Sequence, residues 1–239
     1  MVMMEHTIKA FDADLQELAR MIAEMGGLAE RQIGDALDAL SRRDASLARS
    51  VIAADVRIDS LQHEIEEKAI LTIARRQPMA VDLRDVVSAL RVSNDLERIG
   101  DLAKNIAKRV GALDDDFQPQ QVMRGVEHMT DLVLAQLKEV LDSFAHRDTA
   151  KALAVWRGDE EIDAVNNSLF RELLTYMMED PRNISFCTHL LFCAKNIERM
   201  GDHATNIAET IHYMVEGQIL PDQRPKGDTT ATSNIPYRS

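Results

Sequence analysis

The 239-residue chain is poor in residues that interrupt or staple a fold: it has two cysteines, six prolines and ten glycines, and aromatics make up only 4%. Cys187 and Cys193 fall within one predicted helix, which excludes a disulfide scaffold or cysteine-based zinc knuckle and fits a reducing cytoplasm. Positive charge is also short. Against 40 Asp and Glu stand 28 Lys and Arg, a formal net charge of −12, which argues against a basic nucleic-acid binder. No run approaches the ~20 apolar residues that cross a bilayer; the longest nearly uncharged one is Ile184 to Ala194. The opening Met1-Val2-Met3-Met4-Glu5-His6 lacks a basic start, an apolar stretch and a small-residue cleavage site, so no export signal is expected. Contact with a membrane is expected only through a partner. Phosphate loops of the GxxxxGK[ST] type, GxSxG elbows and HExxH zinc motifs are missing as well. His146-Arg147-Asp148 has the letters of a kinase catalytic loop without a glycine-rich loop or Asp-Phe-Gly, and reads as the start of a helix. No catalytic residue is assigned and no enzyme is expected.

What is abundant is aliphatic, at helical spacing. Apolar residues reach 45%, and the few prolines, which lack an amide donor, mark element boundaries at Pro78, Pro119, Pro181, Pro221, Pro225 and Pro236. The periodicity predicts helices at about 6–41, 45–76, 82–112, 120–146, 149–179 and 184–217. Asp44, Asp82 and Asp148 are predicted N-caps, since a short carboxylate accepts from free first-turn amides. Residues 218–239, rich in Pro, Gly, Thr, Ser and Asn, read as a flexible polar tail.

The chain repeats itself at a shift of 101 to 104 residues. Ser41-Arg42-Arg43-Asp44-Ala45 matches Ala145-His146-Arg147-Asp148-Thr149, and Pro78 matches Pro181. Glu97-Arg98-Ile99-Gly100-Asp101-Leu102-Ala103-Lys104-Asn105-Ile106 matches Glu198-Arg199-Met200-Gly201-Asp202-His203-Ala204-Thr205-Asn206-Ile207 at seven of ten positions. In the third helix of each half the apolar residues keep a 4-3-4-3-4 spacing, Val92, Leu96, Ile99, Ala103, Ile106, Val110 and Cys193, Ile197, Met200, Ala204, Ile207, Ile211, which is a bundle seam. The predicted fold is all-α: two tandem three-helix bundles related by a pseudo-twofold, over residues 1–115 and 116–217, with the tail at 218–239.

Glu97, Asp101 and Asn105 climb one helix face four residues apart, opposite the seam, and Glu198, Asp202 and Asn206 repeat them. Chance supplies about six or seven acid pairs at this spacing in so acidic a chain, so a single pair means nothing. Recurrence in one ten-residue context, around a mid-helix glycine that costs up to ~1 kcal/mol relative to Ala, lifts it. Gly100 and Gly201 are expected to let another helix or a ligand come close. The second helices carry Asp55 with Asp59 and Asp159 with Asp163, beside the core positions Ile58, Leu61, Ile162 and Val165. Bundle helices pack about 8–10 Å apart, so the pairs can converge on an ion or small cluster, and all-oxygen sites suit magnesium, manganese, calcium or ferric iron. The competing reading is a solvated acidic face neutralised by Arg98, Lys104 and Arg199. His203 is read as a flanking or packing residue, because its counterpart is Leu102. A ferritin-like di-iron oxidoreductase is a weaker alternative: it wants two Glu-x-x-His motifs, and only Glu209-Thr210-Ile211-His212 occurs. A purely structural helical interaction module is the third.

These residues resemble the PhoU family of bacterial phosphate-transport accessory and regulatory proteins. The carriers are His6 to Phe11, Glu24-Met25-Gly26-Gly27-Leu28, and the doubled motif at Glu97 to Asp101 and Glu198 to Asp202, with Asn94 to Asp101 the most specific stretch. The resemblance spans about residues 6–217. It implies paired three-helix bundles, a homodimer, and multinuclear clusters of divalent or trivalent metal ions (iron, manganese, magnesium or zinc) on the acidic motifs. It further implies a cytoplasmic negative regulator of phosphate uptake and of the phosphate-starvation response. Its partners would be the ATPase subunit of the phosphate ABC importer and a phosphate-responsive sensor histidine kinase, with no nucleic acid.

Overall fold

The computed structural model describes residues 2–113 and 120–220, with side chains from residue 10 onward. Residues 221–239 of the expected tail lie outside the described residues. The elements are α1 (Val2–Arg42), α2 (Ala45–Arg76), α3 (Val81–Val110), α4 (Gln120–His146), α5 (Thr149–Arg157), α6 (Asp159–Glu179), a 3-10 turn (Pro181–Asn183) and α7 (Ile184–Glu216). At 1.5 Å per residue α1 runs about 60 Å. Its stripe of Leu18, Ile22, Met25, Ala29, Ile33, Ala36 and Leu40 is buried throughout.

α1 to α3 pack on one another, as do α4 to α7, and the halves meet along α3 against α7 and α1 against α4. α3 and α7 run antiparallel, since Arg91 lies over Tyr213, Asp95 meets His203, and Arg109 reaches His189 and Phe192. Among the described residues, α2 and the α5–α6 pair are outer helices that touch only helices of their own half. Both predicted seams are buried along their full length and belong to one continuous aliphatic core. Cys193 sits in that core, where burial pushes its thiol up to about 12, so it packs as an inert apolar side chain.

The turns repeat with the helices. Arg43 and Arg147 adopt positive φ of 52° and 55°. The following amides of Asp44 and Asp148 reach back to Ala39 O and Ser143 O, both at 2.9 Å, which closes the preceding helix in a Schellman-type turn. Asp44 Oδ1 then accepts from the amides of Ser46 and Leu47 at 2.8 and 3.0 Å, and Asp148 Oδ1 from those of Ala150 and Lys151 at 3.1 Å each. One residue thus closes one helix and opens the next.

Two expectations need correction. Asp82 is not an N-cap: α3 begins one residue earlier, after Ala80 at φ 51°, and Asp82 lies in its first turn. The predicted helix at 149–179 is broken at Gly158, whose amide is shared between Ala154 O and Val155 O at 3.0 and 3.1 Å. Glycine weakens the helix there, and Asp159, Glu160 and Glu161 follow it as an acidic first turn favoured by a new helix N-terminus. The matching residue of the first half is Ala54, and α2 runs through it unbroken.

Candidate functional site

Each half buries aspartate on its outer helix, one in the first half and two in the second. In α2 the buried positions are Ala48, Val51, Asp55, Ile58, Leu61, Ile65, Ala69 and Thr72, so Asp55 occupies a core position rather than one beside it. In α6 the buried set includes Asp159, Ile162, Asp163 and Asn166. These acids face the Glu-x-x-x-Asp motif of the central helix, where Glu198 is buried and Glu97, Asp101 and Asp202 are half-buried.

The first half ties two of its four acids to one ammonium group. Lys104 Nζ donates to Asp55 Oδ2 on α2 and, at 2.6 Å, to Asp101 Oδ1 on its own helix. The other oxygen of Asp55 accepts from Gln32 Nε2 of α1 at 3.1 Å. Burial works against charge on Lys104, but its hydrogen bonds to Asp101 and Asp55 and the attraction of both outweigh that cost and hold it protonated well above the ordinary lysine range. Burial, reinforced by the repulsion of Asp55 and Asp101, pushes the Asp59 carboxyl up. Burial, with repulsion from Asp101 and Asp59, raises Glu97. Arg98 screens this face from outside, with Nε 3.4 Å from Glu97 Oε2 and Nη1 3.7 Å from Asp101 Oδ2.

In the second half Thr205 stands where the first has Lys104. It is fully buried, and its hydroxyl donates to its own helix, at 2.7 Å to Asp202 O and 3.3 Å to Gly201 O. Lys195 Nζ meets Glu198 Oε1 at 2.9 Å from a half-exposed position one turn earlier on α7. The repeat therefore preserves the carboxylates and changes the cation.

Sequence reasoning missed Gln32 and Gln136. They hold matching places on α1 and α4, 104 residues apart, and Oε1 of each is buried without a hydrogen-bond partner among the described residues. For Gln32 the amide orientation follows from Asp55, which can only accept. A Cβ on Gly100 would stand 3.2 Å from Gln32 Oε1 and 3.0 Å from Ile58 Cδ1; one on Gly201 would stand 3.0 Å from Ile162 Cδ1, 3.6 Å from Asp159 Oδ1 and 3.7 Å from Gln136 Oε1. The mid-helix glycines thus admit side chains of the neighbouring helices, an isoleucine and a glutamine in each half. The glutamine pair was visible as identical residues at the repeat shift.

Other predicted site residues lie elsewhere. Asn105 is exposed, and Asn206 turns toward α3, where Nδ2 donates to Asp95 Oδ1 at 3.4 Å. His203 donates to the same oxygen at 2.8 Å, a packing contact between the halves, as its reading from Leu102 implied. Glu209 accepts from Trp156 Nε1 at 3.0 Å, whereas His212 Nδ1 donates to Gln218 O at 3.1 Å, so this Glu-x-x-His segment serves packing and chain closure. Among the described residues no three Asp, Glu, His or Cys side chains already stand around a common ion position.

Comparison with known proteins agrees with this doubled architecture. The PhoU domain family model matches twice, over residues 22–110 and 126–211. The chain is 57% identical over 227 residues to a phosphate-specific transport system accessory protein PhoU homolog of Rhizobium meliloti, covering 95% of this chain and 96% of that one. It is 53% identical over 226 residues to the homolog of the same name in Caulobacter vibrioides, covering 95% and 98%. The crystal structure of PhoU from Pseudomonas aeruginosa superposes with a TM-score of 0.83 at 39% identity, covering 87% of this chain and all of that one. That of the phosphate transport system regulatory protein PhoU from Streptococcus pneumoniae gives 0.82 at 30% identity, covering 88% and 99%. These names describe accessory and regulatory proteins, not enzymes. With two family matches laid over two helical units that share one core, the chain belongs to the PhoU family.

Proposed function

We propose that this protein is a negative regulator of phosphate uptake and of the phosphate-starvation response. It acts as an adaptor, docking on the ATPase subunit of a phosphate ABC importer and on a phosphate-responsive sensor histidine kinase. In this reading it works as a cytoplasmic homodimer and meets the membrane only through those partners; no helix among the described residues is long and apolar enough to cross one. The observation that carries the reading is identity above 50%, over 95% of the chain, to proteins named as accessory to phosphate-specific transport. Binding by such an adaptor changes a partner's output only through different affinity for its conformations, so turnover of a substrate is not required. Deleting the gene and measuring a phosphate-starvation reporter in phosphate-rich medium tests the proposal. The reporter should switch on and return to its low level when the gene is restored; unchanged output would overturn the regulatory role.

The reading includes metal ions, namely iron, manganese, magnesium or zinc, at the acid groups. The donor chemistry supports it: in the second half Asp159, Asp163, Glu198 and Asp202 put carboxylates on the outer and central helices, a donor class suited to hard cations. In the first half both oxygens of Asp55 are already engaged, by Gln32 and Lys104. A bound cation would neutralise the clustered acids and tie the outer helix to the central one.

A further inference from the structure

We infer that Arg109 anchors a binding site for a small tetrahedral oxyanion of the phosphate class, where the end of α3 meets the start of α7. Arg20, Arg57, Arg76, Arg98, Arg147 and Arg182 each meet a carboxylate. Arg109 meets none among the described residues; its contacts are His189 and the Phe192 ring. A guanidinium keeps its charge at every working pH, and a charge held partly out of water wants an anion. Arg109 is half-buried, and its Nε is sealed from solvent without a hydrogen-bond partner. The rest of its fork is held ready. The Phe192 ring, 4.3 Å from Cζ, covers one face. Nη1 donates to His189 Nδ1 at 3.3 Å, and since arginine only donates, that nitrogen carries no proton. Nη2 has no partner among the described residues and, unlike Nε, is open to solvent. The second hydrogen of Nη1 and those of Nη2 are left to grip two oxygens of one anion, the paired geometry in which guanidinium suits phosphate. With ring and imidazole already fixing the side chain, binding costs little further freedom.

The neighbourhood favours an anion although the chain as a whole carries −12. Residues 102–113, which end α3, and 184–194, which begin α7, hold Lys104, Lys108 and Arg109 and no Asp or Glu. Lys104 is spent on Asp55 and Asp101, whereas Lys108 stands exposed beside Arg109. Because the two helices run antiparallel, α7 brings its positive, N-terminal part to this place. The residue of the second half that matches Arg109 is Thr210, buried and uncharged, so the arrangement is confined to the first copy of the repeat. The site stands on this geometry and goes beyond the regulatory reading, which only makes inorganic phosphate the first probe to try.

Inorganic phosphate titrated into chelator-stripped full-length protein, followed by calorimetry and by the nuclear magnetic resonance signals of the His189 ring, tests the inference. Stripping the protein closes any route through metal at the acid groups. Phosphate should bind with a Kd of about 1 mM and shift the His189 signals; sulfate should compete, and chloride at equal ionic strength should not. Arg109→Gln should weaken binding at least about tenfold, and Arg109→Lys, which keeps the charge and loses the fork, at least about threefold, while Lys108→Gln stays within about twofold. Should Arg109→Gln fold poorly, Arg109→Lys and the His189 signals decide the matter. Equal affinity in the wild type and both Arg109 variants would mean an adventitious ion only and overturn the site. Absence of binding by the wild type up to about 20 mM would overturn it too. In that case uptake by the triple variant Asp114→Asn, Asp115→Asn, Asp116→Asn, altered at acids that follow α3 outside the described residues, would assign Arg109 to the chain's own carboxylates instead. None of these failures touches the regulatory role, which the reporter experiment tests separately.

Discussion

Asp55 and Asp159 hold the same place in the repeat, in the buried stripe of an outer helix, and the two halves build different surroundings for them. The first half leaves α2 continuous and brings Lys104 across from the central helix. The second breaks the outer helix at Gly158, so that Asp159 opens a new one, and puts the uncharged Thr205 in the lysine's place. A buried carboxylate has to be paired or given oriented dipoles, because removing an unpaired charge from water costs several kcal/mol. The halves are thus alike in architecture and unlike in where a cation stands: Lys104 follows the first motif, and Lys195 precedes the second.

The sharpest way to break this comparison is to remove the two counterpart residues in turn. Lys104→Met leaves Asp55 buried with its cation gone and should cost about 3 kcal/mol, the lower part of the range for stripping one partner from a buried pair. Thr205→Val conserves shape, removes a hydroxyl that bonds only to nearby backbone carbonyls, and should cost under about 1 kcal/mol. Urea midpoints of the two variants measure the difference. Lys104 has its folded-state pKa raised, so its stabilisation is complete below the ordinary lysine value and is lost only as pH rises toward the folded one; at neutral pH the full cost should appear. Similar midpoints for the two variants would show that Lys104 lies on the surface of the acid group and not within it.

Most of the helical architecture could be read from the chain because long amphipathic helices announce themselves by period, and a doubled period announces the symmetry. The seams from Val92 and Cys193, the caps at Asp44 and Asp148, and the boundary at Pro78 rest on local chemistry alone. What was not legible depends on contact between helices. Asp55 falls at the apolar spacing between Val51 and Ile58, but a carboxylate alone gives no sign of its burial. From α3 alone Lys104 reads as a neutraliser of a solvated face, and nothing in that helix shows that it reaches α2. Asn206 shares the spacing of Glu198 and Asp202 but turns to Asp95, since the ladder drifts round the helix and its last rung meets the other half. The break at Gly158 was lost because its counterpart Ala54 permits a continuous helix.

A second contrast lies in how the halves clamp each other. Arg43 and Arg147 occupy matching positive-φ turns and reach the third helix of the opposite half at matching residues, Phe186 and Asp85. Arg147 pairs with Asp85, Nη1 donating to Oδ2 at 3.0 Å and Nη2 lying 2.9 Å from Oδ1, whereas Arg43 lies over the Phe186 ring at 5.4 Å. Arg147→Ala leaves a mostly buried carboxylate without its main partner and should cost about 1–2 kcal/mol. Arg43→Ala forfeits a cation–π contact at a partly exposed site and should cost under about 1 kcal/mol. Raising ionic strength from about 0.1 to about 1 M should shrink the first cost more than the second, because ring contacts depend less on long-range charge. Thermal melts of the two variants in low and high salt make the test, and equal salt sensitivity would mean that the two clamps work alike.

The smallest expected effect concerns Glu30, which takes the place in α1 that Leu134 takes in α4. Burial, with repulsion from Asp142 and partial relief from Lys138, raises its carboxyl above the ordinary value of 4.5. A raised carboxylate binds its proton more tightly in the folded state than in the unfolded one, so folded protein carries more protons through the window between the two values. Stability therefore rises as pH falls through the folded value toward 4.5, and levels off below it. At pH 7 the charged form is a net cost, and Glu30→Gln, neutral at every pH, should stabilise the protein by about 0.5 kcal/mol after solvent screening. That gain should vanish near pH 4, where the native carboxyl is itself neutral. Urea midpoints of wild type and variant across this range should converge as pH drops. A variant less stable than wild type at pH 7 would mean that Lys138 dominates and Glu30 is a stabilising ion, which would make this position one more place where the first half uses a charge to do what the second does with leucine.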